Sequence, residues 1–120
     1  MIRKTAIENL IHCCIVLANY RAVVILPTRI NLQDFRKEFN CVIDSIPSFL
    51  TSGISHNATR RIKWNTNIID FTSTGNSLKG QTFSAIYVSK LLSENKTTEI
   101  SEALLVYRLY SNSFPVVYFN

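Results

Sequence analysis

The sequence predicts an α/β fold in which a mostly parallel sheet is flanked by helices. Two apolar runs, residues 22–26 and 83–88, show little polar alternation, which is typical of strands buried on both faces of a parallel sheet. Stretches with apolar residues at helical spacing lie before and after the first run. The alternation of helix and buried strand is the pattern of an α/β domain. With 120 residues and 47% hydrophobic content, the chain can form one domain with one core.

Two helices are predicted in the first half of the chain. Thr5 and Glu8 have capping-box spacing in front of an apolar run, so we expect Thr5 to cap the first helix. The predicted buried face of this helix consists of Ile7, Leu10, Ile11, Cys14, Ile15 and Ala18. Asn31 is a favourable N-cap for the second helix, and Pro47 ends it. The predicted buried face of the second helix consists of Phe35, Phe39, Val42, Ile43 and Ile46.

The second half is predicted to contain a hairpin followed by short elements. Residues 51–59 are polar and turn-prone, which predicts a loop. Residues 61–66 alternate between basic or polar and apolar side chains, and a turn at 65–67 joins them to a strand at 68–72. We expect Asp70 in this strand to form a salt bridge or a cap; the alternative is a lone carboxylate site. The other predicted elements are a loop at 73–81, a short helix at 99–103 and strands at 104–107 and 116–119.

Charge and cysteine content exclude several classes of protein. The net charge of +5 suits an ordinary soluble domain, and it also permits contact with nucleic acid. The three cysteines form no C-x-x-C pair, and the two histidines have no zinc-ligand spacing relative to them. This pattern predicts a reducing, cytoplasmic environment and neither a disulfide framework nor a metal site. The apolar stretch at 10–18 is too short to cross a bilayer, so we expect no membrane partner.

Basic side chains cluster around the predicted hairpin. Arg61 and Lys63 share one strand face because side chains alternate along a strand. With Arg60 and Lys79, and with Trp64 nearby, they form a candidate strip for phosphate contact and base stacking in nucleic acid. The alternative is a solvated hairpin face with Trp64 in the core.

Four segments carry a resemblance to a known family. Residues 3–5 (R-K-T) precede a predicted helix like the tail of a Walker A motif, and residues 22–28 look like the next strand with its Pro-Thr turn. Residues 46–50 and the predicted hairpin are similar to the helix end and the hairpin that come after that strand in the same family. Residues 77–88 resemble the stretch running into Walker B, where the family tends to read R-G-x-x-F-x-x-I-Y-I-D-E. In this order, the segments resemble the ATPase domain of the large terminase subunit of tailed phages, the motor that packages DNA.

The resemblance implies an incomplete P-loop ATPase core, close to helicase superfamily 2, with ATP and magnesium as cofactors in the intact family. Arg3, Lys4 and Thr5 would be remnants of the nucleotide-binding site; the alternative is a plain helix start. Only three residues precede Lys4, so we expect the first strand and the Gly-rich turn to be absent. Ser89 and Lys90 occupy the positions of the two Walker B carboxylates. Because serine is a poor magnesium ligand and lysine cannot orient the attacking water, we expect no ATPase activity, no catalytic residue and no bound cofactor.

Two functional hypotheses follow. In the first, residues 1–120 form a single terminase ATPase-like domain, degenerate or partial, which is inactive in isolation. Its partners would be DNA or other packaging proteins, in the host-cell cytoplasm if the chain is viral. In the second, the chain is a small α/β interaction module unrelated to ATPases that makes protein or weak nucleic-acid contacts. Parallel placement of the strands at 22–26, 84–88 and 104–107, with the hairpin at 61–72 as an excursion from the sheet, favours the first hypothesis. An antiparallel meander favours the second.

Overall fold

The computed structural model describes residues 1–58, 60–73, 83–92 and 116–120. The predictions for residues 74–81, 99–103 and 104–107, and Lys79 with them, lie outside these residues. The described helices are α1 (Arg3–Val16), α2 (Arg29–Asp44) and α3 (Ser48–Thr51). The described strands are β1 (Arg21–Ile25), β2 (Ile54–Ala58), β3 (Arg61–Trp64), β4 (Asn67–Thr72), β5 (Ala85–Ser89) and β6 (Val116–Phe119).

The strands form one six-stranded sheet in the order β2-β3-β4-β1-β5-β6. Strands β4, β1, β5 and β6 run parallel to one another, whereas β3 pairs antiparallel with both β2 and β4. The predicted α/β class with a mostly parallel sheet is therefore confirmed. The two strands predicted from the apolar runs are parallel neighbours, as the first hypothesis requires. The hairpin is more than an excursion, because its second strand, β4, joins the parallel part of the sheet beside β1.

The sheet is apolar on both faces at β1 and β5, which explains the lack of polar alternation in these strands. Ala22 and Val24 of β1 belong to a core cluster with α1 and α2. Val23 and Ile25 point to the opposite face, where they pack in a second cluster with Ile86, among others. All five residues of β5 are buried. In α2, the predicted buried face is confirmed for Phe35, Phe39 and Ile43, which are buried, and for Val42, which packs at the margin of the core. The helix ends at Asp44, before the predicted end at Pro47, so Ile46 packs against the core from beyond the helix.

Both helices begin earlier than predicted. The N-cap of α1 is Ile2, which has no side-chain capping bond. Helical bonding has already started before Thr5, since the Ala6 amide donates to the Ile2 carbonyl at 3.2 Å. The capping role predicted for Thr5 is therefore wrong. The cap predicted at Asn31 is also wrong: Thr28 is the N-cap of α2, and its Oγ1 accepts from the Asn31 amide at 3.2 Å.

The end of α1 also differs from the prediction. Ile7, Leu10, Ile11 and Cys14 are buried as expected, but Ile15 and Ala18 are exposed. The backbone becomes extended at Leu17, so Ala18 no longer lies on a helix face. No helix in the described ranges combines the length and the apolar character that crossing a membrane requires.

The loop predicted for residues 51–59 is wrong, because β2 forms there. Ile54 and Ser55 pair with Trp64 and Lys63 on the free side of β3, in antiparallel register. A polar segment can take this place because an edge strand needs backbone partners rather than apolar side chains. The predicted hairpin turn is confirmed between β3 and β4, where Asn65 has a positive φ of 54°, which asparagine tolerates well.

The buried Asn67 side chain joins α1 to the start of the sheet. Its Oδ1 accepts from the Tyr20 amide at 2.8 Å. Its Nδ2 donates to the carbonyls of Cys14 and Leu17, both at 3.0 Å. Asn67 is only 2% exposed, so water cannot replace these three bonds easily. Asn67 is the first residue of β4, and its side chain thus hydrogen-bonds both the end of α1 and the residue that precedes β1.

Substitution Asn67→Ala is expected to lower the free energy of unfolding by about 2–3 kcal/mol, since three backbone groups lose their partner and two of these bonds are buried. Thr66→Ala is the matched control. Its hydroxyl accepts from the exposed Asn19 amide at 3.0 Å, and that amide can turn to water, so we expect a loss below about 1 kcal/mol. Urea unfolding followed by circular dichroism measures both values. Equal losses in the two variants would contradict the central role of Asn67.

Buried thiol and phenol groups predict a loss of stability at alkaline pH. Burial, and to a lesser extent Cys13, raises the pKa of Cys14 to about 12. Burial, and to a lesser extent the neighbouring Tyr87, raises the pKa of Tyr20. Burial also raises the pKa of Tyr87. In the unfolded chain the cysteine thiol and the tyrosine phenols ionise near their ordinary pKa values of 9.0 and 10.0, respectively. The unfolded chain therefore holds fewer protons than the folded one above pH 9, and stability falls as pH rises.

The expected fall approaches about 1.4 kcal/mol per pH unit for each group that titrates only in the unfolded state. Unfolding curves measured between pH 8 and pH 11 test this dependence. The variant Tyr20→Phe removes one of the groups and should show a shallower fall above pH 10. Stability that stays constant over this range in the unmodified protein would contradict the prediction.

Candidate functional site

The carboxyl ends of the parallel strands bring the two Walker-like segments together. The Met1 carbonyl accepts from the Asn120 amide, just after β6, at 2.9 Å. The Lys90 amide, just after β5, donates to the Phe119 carbonyl at 2.8 Å. The first turn of α1 therefore starts at the edge of the sheet where β5 and β6 end. In open α/β sheets, this carboxyl edge is where ligands commonly bind.

The three candidate nucleotide residues lie in this first turn but differ in their surroundings. Arg3 pairs with Glu38 of α2, with 3.4 Å between Nη1 and Oε2. Lys4 is exposed, and Thr5 is half-buried. The guanidinium of Arg3 is thus engaged with the neighbouring helix, and Lys4 is the basic side chain of the three that projects into solvent.

The end of β5 is built for a turn rather than for a metal ion. Ser89 is 2% exposed, and its Oγ accepts from the Leu91 amide at 3.2 Å. Lys90 is exposed. A buried hydroxyl that already accepts a backbone bond, followed by a cation, does not fit magnesium, which prefers carboxylate oxygens. Among the described residues, no group of three or more acidic, histidine or cysteine side chains could hold a metal ion.

The basic strip lies elsewhere, on the face of the sheet opposite α1 and α2. Arg61 and Lys63 are exposed and alternate with the buried Ile62 and Trp64, as predicted. The strand register extends this face across the sheet. Lys63, Ile68 and Arg21 form one row, and Arg61, Asp70 and Val23 form the next. Arg21, which sequence reasoning missed, therefore belongs to the same basic surface.

Asp70 joins the two arginines of this surface. Its Oδ1 accepts from Nε of Arg61 at 2.7 Å, and its Oδ2 accepts from Nη2 of Arg21 at 3.2 Å. The Asp70 side chain is 17% exposed, against 44% for Arg61. The salt bridge expected for Asp70 is confirmed. The Arg21 guanidinium also lies 5.3 Å from the ring centre of Phe83, a cation–π distance.

An open pocket of about 240 Å³ adjoins this ion-pair network. Its lining combines two arginines and one carboxylate with the apolar Val23 and Phe83 and with residues at the end of β4: Arg60, Arg61, Asp70, Val23, Phe71, Thr72 and Phe83. Arg60 is exposed and anchored through its backbone, whose carbonyl accepts from the Phe71 amide at 2.8 Å. The pocket offers cationic groups at its rim and an apolar floor.

Trp64 cannot stack on a base, because it is part of the core. It is 1% exposed, and its Nε1 donates to the Leu50 carbonyl at 3.2 Å. The core alternative for Trp64 is therefore confirmed. The aromatic ring that accompanies the basic residues is Phe83, which lies just before β5 and is itself largely buried.

The structure does not bring the two sets of candidate residues together. Strand β3, which carries Arg61 and Lys63, lies three strand positions from β5, about 14 Å at the usual strand spacing. Arg21 is the first residue of β1, so the basic row lies toward the amino ends of the parallel strands. The Walker-like residues lie at the carboxyl ends. Any ligands of these two regions would be separate.

Comparison with solved structures gives the ATPase domain of the large terminase from Thermus phage P74-26, with a TM-score of 0.58 and 10% sequence identity. The match covers 98% of this chain and 54% of that one, so the chain spans about half the length of the terminase domain. A scan against protein-family models and a search of curated protein sequences give no match. At this identity, the comparison establishes a shared fold.

Removal of the Asp70 carboxylate is expected to destabilise the sheet. In Asp70→Ala, two partly buried guanidinium groups lose their shared partner and repel each other, which should lower the free energy of unfolding by about 1–2 kcal/mol. The matched control is Asp34→Ala, which removes an exposed carboxylate from α2 and should change stability by less than about 0.5 kcal/mol. Urea unfolding compares the two variants. A control that loses as much stability as Asp70→Ala would show that the ion pairs contribute nothing specific.

Proposed function

We propose that this chain is a terminase-type, ATPase-like domain that serves viral DNA packaging without hydrolysing ATP itself. The observation that carries the proposal is the arrangement of the parallel strands. Strands β4, β1, β5 and β6 are consecutive, and α1 starts beside the carboxyl ends of β5 and β6. This arrangement follows the order of segments that resembles a terminase, and the fold shared with a phage terminase domain supports it.

The absence of hydrolysis is argued from the residues that end β5. Phosphoryl transfer depends on magnesium and on a group that orients the attacking nucleophile, since the protein contributes mainly positioning and electrostatics. Ser89 is buried and already accepts the Leu91 amide. Lys90 would repel a divalent cation at the next position. Neither side chain fits the role that a Walker B carboxylate performs, so the proposed role is structural or DNA-binding.

The hypothesis of an unrelated interaction module is not supported by the strand order. It predicts an antiparallel meander of neighbouring strands. Instead, β1 pairs in parallel with both β4 and β5, and the antiparallel pairs are confined to the hairpin side of the sheet. We therefore retain the terminase-type proposal as the function that the geometry supports best.

Phosphate release from ATP is the first test. We expect the purified chain to release phosphate no faster than buffer, with or without magnesium, because β5 ends in Ser89 and Lys90. A magnesium-dependent activity that is lost in Lys4→Ala and kept in Lys37→Ala would contradict this expectation. Lys37 is the matched control because it is an exposed lysine on α2.

The packaging role needs a separate test in cells that produce the virus. DNA crosslinked to the tagged chain would be recovered and sequenced, and we expect viral DNA to be enriched over host DNA. Recovery of host and viral DNA in proportion to their abundance would refute the packaging role. This outcome is independent of whether the chain hydrolyses ATP.

A further inference from the structure

We propose that the basic surface formed by Arg21, Arg60, Arg61 and Lys63 binds the phosphate backbone of double-stranded DNA. The choice of duplex DNA as the ligand rests on the proposed function; the choice of a phosphate backbone rests on the surface itself. We call these four side chains and the carboxylate between them, Asp70, the arginine cluster.

The charge balance of the arginine cluster favours a polyanion. Among the described residues, Arg21 and Arg61 share the one carboxylate of Asp70, and Lys63 lies in the neighbouring row of the same face without a carboxylate beside it. Arg60 lines the adjoining pocket. Arg60, Arg61 and Lys63 are exposed, and the side chain of Arg21 is about one third exposed. The net charge of the whole chain is also positive, +5. Neutralisation of phosphates by such groups releases condensed counterions, which is the main source of sequence-independent DNA binding.

The ion pairs hold the arginines in place before any ligand binds. Among the described contacts, Arg61 bonds Asp70 through Nε only, so its two terminal Nη groups can donate to a phosphate. On the other side of Asp70, Arg21 is held by the carboxylate and by the Phe83 ring. A guanidinium fixed in this way can form paired N–H bonds to a phosphate with less loss of side-chain entropy.

The spacing of the cluster suits an extended backbone rather than a single small anion. Arg61 and Lys63 are two residues apart on β3, about 6.7 Å along the strand. Lys63 and Arg21 lie in one row two strands apart, about 10 Å across the sheet. Arg60 adds a further cation at the rim of the adjoining pocket. A single phosphate cannot contact all of these groups, whereas a nucleic-acid strand crossing the face can contact several.

The position of the cluster makes its binding independent of the carboxyl edge. Lys4 and Lys90 lie beside the carboxyl ends of β5 and β6, at least three strand positions from β3, so substitutions there should leave DNA binding unchanged. The exposed Lys37 lies on α2, in the helical layer on the other face of the sheet. Lys37→Glu therefore changes the net charge as much as Lys63→Glu does, but on the wrong face.

The test is fluorescence anisotropy of a labelled duplex DNA of about 20 base pairs, titrated with the full chain at several salt concentrations. We expect Lys63→Glu to weaken binding about tenfold or more and to reduce the slope of log K against log salt by about one. Lys37→Glu should change affinity less than threefold. Arg60→Ala, an exposed position, is the second variant if Lys63→Glu does not fold, and it should weaken binding by a similar factor and lower the slope.

Three outcomes would overturn the proposal. The first is a Lys63→Glu or Arg60→Ala protein that binds DNA as well as Lys37→Glu does. The second is an unmodified chain that does not bind the duplex at low salt. The third is RNA binding at least tenfold tighter than DNA binding, which would assign the surface to another ligand. If the variants bind normally while viral DNA is still enriched in cells, the arginine cluster is not the DNA-binding surface, and the packaging role stands.

Discussion

The buried amide of Asn67 is the contact on which the rest of the structure depends. It accepts the backbone N–H of Tyr20 and donates to two carbonyls at the end of α1. These bonds fix where α1 stops, where β1 starts and how β4 aligns with β1. The Ile68 amide then donates to the Tyr20 carbonyl at 2.9 Å, which continues the same alignment into the sheet. The parallel register of β1 and β4 thus begins at one side chain.

This register also creates the arginine cluster. Asp70 lies beside Arg61 through the antiparallel hairpin and close to Arg21 through the parallel pair. A shift of one residue between β1 and β4 would turn the Asp70 side chain to the helical face relative to Arg21, because side chains alternate along a strand. The mixed nature of the sheet is therefore what places two guanidinium groups on one carboxylate.

Sequence reasoning succeeded where one local pattern had one structural solution. The apolar runs at β1 and β5, the stripe of α2 and the first four residues of the α1 stripe fall in this class, because burial stabilises such residues. The prediction failed for Ile15 and Ala18, where α1 ends. It failed where several local solutions competed: Thr28 and Asn31 are both good caps, and the chain entered the helix at the earlier one. It missed β2, whose polar side chains conceal an edge strand. It also missed Arg21, because its partner Asp70 lies 49 residues away in the sequence, and only the register of the sheet joins them.

The residues that end β5 satisfy the fold locally without a metal ion. A carboxylate in the buried place of Ser89 would need a metal ion or several donors to offset its desolvation. The serine hydroxyl instead accepts the Leu91 amide and imposes no uncompensated charge. Under the proposed function, the sheet and its helices then serve as a rigid support for the basic residues on the hairpin side. The proposed binding surface needs this support, because β3, β4 and β1 place its side chains only while the sheet holds its register.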